Sequence, residues 1–118
     1  MPPRLRPADP AAVAAALAAH PRTKADSKLL TKHFMAVLAE RAPGRSVEVR
    51  VPPFAAVQVI EGVRHTRGTP PAVVEMDAET WIALATGELV WGDAEASGRV
   101  TASGQRADLT PHLPLVED

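Results

Sequence analysis

The chain has 118 residues, 13 basic and 14 acidic side chains, and no cysteine. That length holds one domain rather than two ordinary ones. The net charge of −1 gives no electrostatic footprint for nucleic acid and no polybasic membrane tether. The missing thiols exclude disulfides, thiolate metal sites, iron–sulfur clusters and a cysteine nucleophile.

Apolar residues make up 46% of the chain, but 22 of them are Ala, and the only aromatics are Phe34, Phe54, Trp81 and Trp91. The core is therefore expected to be thin. Residues 1–9 are Pro-rich and read as a flexible arm, with 10–118 as a single domain. The Ala-rich stretch that follows could pass for a signal peptide, but Asp9-Pro10 places an N-cap and a first helical residue there. No targeting segment is expected on that ground. No apolar run approaches the ~20 residues that span a bilayer, so a cytoplasmic protein is expected.

A first helix runs from Pro10 to Ala19, with Val13 and Leu17 as a narrow apolar stripe, and stops at His20-Pro21. A second helix is expected to start with Asp26 or Ser27 as its cap. In it Leu29, Leu30, Phe34, Val37 and Leu38 recur at helical spacing, and Pro43-Gly44 ends it. The period then changes to two: Val47, Val49 and Val51 alternate with Glu48 and Arg50, as a strand wet on one face requires. Pro52-Pro53 breaks the strand, and Phe54–Glu61 forms a second, apolar on both faces. A polar turn from Gly62 to Thr69 leads through Pro70-Pro71 to a third strand, Ala72–Met76.

Asp77 caps a further helix, with Glu79 in its first turn and Gly87 at the left-handed C-cap position. A short helical turn over Trp91–Ser97 stops at Gly98. Arg99–Ala102 is expected as a strand and Ala107–Leu109 as one more. Helices and strands in this order, without a βαβ repeat, read as α+β with a largely antiparallel sheet.

The chain carries no phosphate-binding loop, no dinucleotide fingerprint, no nucleophile elbow and no H-E-x-x-H. Its four histidines are scattered without ligand spacing, so neither a metal nor a cofactor is expected. One polar cluster stands out, Arg64, His65 and Arg67 in the turn before Pro70. It reads either as an anion grip, two guanidiniums and an imidazole converging on a carboxylate or phosphate, or as an ordinary solvated loop. Trp81 and Trp91 read as core, or as pocket walls, since an indole among small residues leaves room around it.

The segment from Pro70 to Leu109 is more specific. It runs Pro70-Pro71-Ala72-Val73-Val74-Glu75-Met76-Asp77-Ala78-Glu79-Thr80-Trp81, then Leu84-Ala85-Thr86-Gly87-Glu88-Leu89. Ser97-Gly98-Arg99-Val100, Ala102-Ser103-Gly104 and Ala107-Asp108-Leu109 follow. This resembles the C-terminal half of the sterol carrier protein family, whose pattern has an acidic residue ending a strand and a helix carrying L-x-T-G-basic-L/M. A short helix and G-K/R-V/L-x-x-x-G-x-x-x-x-L come next. Trp81 stands at the family's bulky helix position, and the Thr86-Gly87 and Ser97-Gly98 pairs are both in place. Two departures are plain: Glu88 stands where a Lys or Arg is common, and no closing C-terminal helix follows. The match is most similar to compact stand-alone bacterial versions of actinobacterial type.

The resemblance implies an α+β fold with a mainly antiparallel five-stranded sheet and helices packed on one face. It also implies an apolar cavity between sheet and helices for a small apolar ligand: a fatty acyl chain, acyl-CoA or sterol-like lipid. Val57, Val59, Val74 and Met76 would line the sheet side, and Phe34, Leu38, Trp81, Leu84 and Trp91 the helix side. Binding or carriage without catalysis is the function this implies, with transient membrane contact left open. Two alternatives stand beside it: an enzyme-associated domain gripping an anionic substrate through Arg64, His65 and Arg67, and a protein-interaction module. Oligomeric state is not legible.

Overall fold

Asp9 starts the first helix, α1 (Pro10–Ala18), accepting a hydrogen bond from Ala12 N at 3.3 Å with Pro10 at the first helical position. The computed structural model describes residues 5–62, 72–103 and 108–116. Ala16 is the one residue of α1 that is fully buried, while Val13 and Leu17, the expected stripe, are half-buried. Arg22 ties down the far end: Nε donates to Ala16 O and Nη2 to Leu17 O, both at 3.3 Å.

The long helix α2 (Lys24–Arg41) begins earlier than the periodicity indicates. Its cap is Thr23, not Asp26 or Ser27. Thr23 Oγ1 accepts from Asp26 N at 3.1 Å, while Asp26 Oδ2 accepts from Thr23 N at 2.9 Å. Asp26 thus serves as the reciprocal partner three residues on, which satisfies two otherwise orphaned backbone donors. Leu30, Phe34, Met35 and Leu38 are buried on the core side of α2.

Strands β1 (Val47–Val51) and β2 (Ala55–Val59) pair antiparallel, Val49 opposite Val57. β3 (Ala72–Met76) runs parallel to β1, and β4 (Val100–Ser103) antiparallel to β3. The sheet order is β2-β1-β3-β4. Among the described residues the sheet is therefore four-stranded and mixed, which corrects the expectation of five mainly antiparallel strands. The parallel pair arises because the chain leaving β2 returns to the far side of β1 and re-enters in the direction of β1.

The expected strand over 107–109 is also corrected at Asp108 and Leu109, which are not in a strand. The Asp108 carboxylate accepts from Thr110 N at 2.9 Å and from Thr110 Oγ1 at 2.6 Å. It closes a local side-chain turn at the start of the 3-10 turn over Thr110–His112 instead. Such local side-chain bonding competes with a ladder, and Pro111 in the turn has no N–H to give one.

Helices α3 (Ala78–Thr86) and α4 (Trp91–Ala96) follow β3. Asp77 caps α3 through Thr80 N at 2.8 Å, and Gly87 closes it at φ 86°. Both features match the sequence reading. The inner sheet face is Val47, Val49, Val51, Val59, Val74, Met76 and Val100, all buried, whereas Arg50, Gln58, Glu75 and Thr101 on the other face are exposed. The helices cover one face only.

Where α2 ends, the chain is tied to the end of β2. Ile60 N donates to Ala42 O at 2.6 Å; Ile60 O accepts from Ser46 N at 3.0 Å and from Ser46 Oγ at 2.6 Å. Ile60 holds φ 68° within this knot.

Candidate functional site

A groove of about 670 Å³ opens between α1, α2 and the chain's C-terminal segment. α1 supplies Pro10, Val13, Ala14 and Leu17, and Pro7 precedes them. α2 supplies His33, Phe34, Val37, Glu40 and Arg41. Leu115 and Val116 close the third side, held in place by Leu115 N donating to Ala85 O at 2.8 Å. The positions on α2 are i, i+1, i+4, i+7 and i+8, one continuous stripe over two turns. Its middle is Phe34 and Val37; its polar groups stand at the two ends.

His33 marks one end. Its Nδ1 accepts a hydrogen bond from Ala8 N at 2.9 Å, joining the segment before α1 to α2. The ring meets Phe34 edge-on at a centroid distance of 5.0 Å. Burial holds its pKa below the ordinary 6.5, so the ring is neutral near pH 7. Glu40 and Arg41, of opposite sign and exposed, stand at the other end.

The residues expected to line a sheet–helix cavity lie elsewhere, with one exception. Leu38, Val59, Val74, Trp81 and Leu84 have no exposed surface, while Met76 and Trp91 each keep 4%. Val57, on edge strand β2, is half-buried. These side chains belong to, or pack against, one apolar cluster between helices and sheet. Of the residues expected to line a cavity, Phe34 alone also lines the groove. The groove face of α2 is offset from its core face by about a quarter-turn, and the two meet at Phe34.

Two polar features inside the core serve the fold. Trp81 Nε1 donates to Thr31 O at 3.1 Å, linking α3 to α2. Buried Thr80 accepts from Arg99 Nε at 3.2 Å through its hydroxyl. Hydrogen bonds from Thr80, with the nearby Arg99 charge adding to them, hold the Asp77 carboxyl below its usual range.

Arg64, His65 and Arg67 lie outside the described residues. Among those described, no group of three or more His, Asp or Glu is placed to hold a metal ion, and no helix is long and apolar enough to cross a membrane.

The sequence reading did not find the groove. Val13, Leu17 and Val37 stood out only as helical stripes, and His33 as an isolated histidine. The usable signal was that His33 lies four residues before Val37, at the edge of the α2 stripe, while α1 has a stripe of its own needing cover. Nothing in the sequence indicated that Leu115 and Val116 return to complete the wall.

A family model described as "Bacterial SCP ortholog" matches residues 23–115. The matched span begins at Thr23, the cap of α2, so α1 and the segment before it precede it. No curated protein matches the chain.

Proposed function

Since the chain belongs to the bacterial SCP family, we propose that it is a non-catalytic domain that binds or carries an apolar ligand, held in the groove beside α2. The ligand class is a fatty acyl chain, an acyl-CoA or a sterol-like lipid. The observation that carries this reading is the groove itself: an open volume of about 670 Å³ in which nine of the twelve lining residues are apolar. Concave, mostly apolar sites with a few polar groups are where small molecules bind.

The energetics favour it. An apolar ligand that loses about 200 Å² of surface to the groove gains roughly 5 kcal/mol at ~25 cal/mol per Å², before the costs of association. Phe34 forms the floor. It shares one apolar cluster with Leu38, Val59, Val74, Met76, Trp81, Leu84 and Trp91, against which Val57 packs. With those residues buried, this reading puts the ligand above Phe34, in the open groove.

Native mass spectrometry after gentle purification, followed by titration with a long-chain fatty acid and a fatty alcohol, tests the proposal. A co-purified apolar molecule, and affinity abolished by Val37→Asp in a protein that still melts cooperatively, is the expected result. Binding of neither ligand to the unaltered protein, or equal binding by the Val37→Asp variant, overturns it.

A further inference from the structure

Resting on the apolar-ligand reading, the polar groups of the groove narrow the ligand class. Nδ1 of His33 is the acceptor for Ala8 N at 2.9 Å, so the proton of the neutral ring sits on Nε2. Among the described residues Nε2 has no hydrogen-bond partner. The ring lines the groove. It therefore offers one N–H donor and no charge.

The other two polar side chains lie on the same face of α2, seven and eight residues further on, roughly 10–12 Å along the helix. Glu40 and Arg41 are opposite in sign, so together with a neutral His33 the described lining of the groove carries no net charge. A carboxylate brought to the His33 end, beside Phe34, would give up water with the Arg41 guanidinium about two turns further along α2, which costs far more than burying a hydroxyl that finds one hydrogen bond. A neutral oxygen needs only the donor His33 supplies.

We propose that the groove selects neutral amphiphiles with a hydroxyl or carbonyl oxygen over their anionic counterparts, and that His33 is the specificity-determining residue, its Nε2–H donating to that oxygen. The apolar body of the ligand lies along Phe34 and Val37 against Val13 and Leu17. The bound head stands at the end of the groove where Ala8 crosses His33.

The test uses the full chain at pH 7.5, with 1-decanol and decanoate as matched probes below their aggregation limits, followed by calorimetry. The unaltered protein is expected to bind 1-decanol at least threefold tighter than decanoate. His33→Phe keeps an aromatic ring but no donor, and lowers the 1-decanol affinity about 3- to 10-fold, the range one hydrogen bond accounts for. His33→Gln retains both a donor and an acceptor for Ala8 N–H, and restores most of it. Decanoate affinity stays level across the three proteins, and a melt of each reports its folding. Equal affinity for the two probes, or a His33→Phe protein that holds 1-decanol undiminished, overturns the proposal while leaving the apolar-ligand reading standing. Binding of neither probe by the unaltered protein overturns both.

Discussion

Trp81 and Thr31 are bound across the interface of α2 and α3, indole Nε1–H to backbone carbonyl at 3.1 Å, with both residues fully buried. The contact fixes the largest side chain of the core in one orientation. Among the described residues the buried Thr31 hydroxyl has no hydrogen-bond partner. A buried hydroxyl without a partner costs roughly 1–3 kcal/mol.

Thr31→Val removes that hydroxyl while keeping the β-branched shape, and leaves the carbonyl that Trp81 uses. We expect stability to rise by about 1 kcal/mol, read as a higher denaturant midpoint at unchanged slope. Trp81→Phe works in the opposite sense, losing the hydrogen bond and ring volume at a site with no exposure, for a loss of about 2 kcal/mol. A destabilised Thr31→Val protein would show that the hydroxyl has a role the geometry does not account for.

Gly44 and Gly98 both hold left-handed backbone, at φ 152° and 77°, in different surroundings. A Cβ on Gly44 would lie 2.2 Å from the carbonyl carbon and oxygen of Ile60, whereas one on Gly98 meets nothing within 4 Å. Gly98→Ala is expected to cost about 1 kcal/mol, the strain alone. Gly44→Ala must also displace backbone and should cost about 3 kcal/mol. Equal losses in chemical denaturation would contradict this order.

Arg22 is the clasp on α1. Arg22→Ala removes two side-chain hydrogen bonds to the last carbonyls of the helix. Amide exchange in α1 should speed up several-fold, with little change in β1 and β3, because local opening draws on local contacts. Global acceleration instead would mean that α1 and the core unfold as one unit.

Acid should weaken the fold in a window set by His33. Its folded pKa lies below the unfolded 6.5 because burial disfavours the charged ring. The unfolded chain therefore binds more protons, and stability falls as the pH drops from above 6.5 towards the folded value. Protonation of Nδ1 also removes the acceptor of Ala8 N–H. In a pH series of denaturation midpoints, His33→Gln should flatten that slope. The dependence below the usual carboxylate range, where Asp77 is held low by Thr80, should persist.

Much of the fold was legible because local chemistry and global packing agree there. Ala72–Met76, Asp77 as a cap and Gly87 as a left-handed stop all fall where alternation and capping rules place them. Where two local signals competed, the reading slipped. Asp26 resembles a cap and is instead the second half of a capping box. Asp108 sits in a strand-like stretch but binds Thr110. The parallel pairing of β1 and β3 depends on how the chain returns from β2, which no residue within either strand encodes. The groove was less legible still, since it joins pieces as distant as Val13, Val37 and Leu115, each unremarkable alone.

The knot of Ala42, Ser46 and Ile60 bears on how β2 finds its place. Its segment Phe54–Ile60 is apolar enough on both faces that alternation alone would not forbid a one-residue slip against β1, which would turn Gln58 inward and Val59 outward. Three hydrogen bonds centred on Ile60 would break in that slip. The register of the edge strand is thus set at its exit, by the turn that follows α2, rather than by the strand's own pattern.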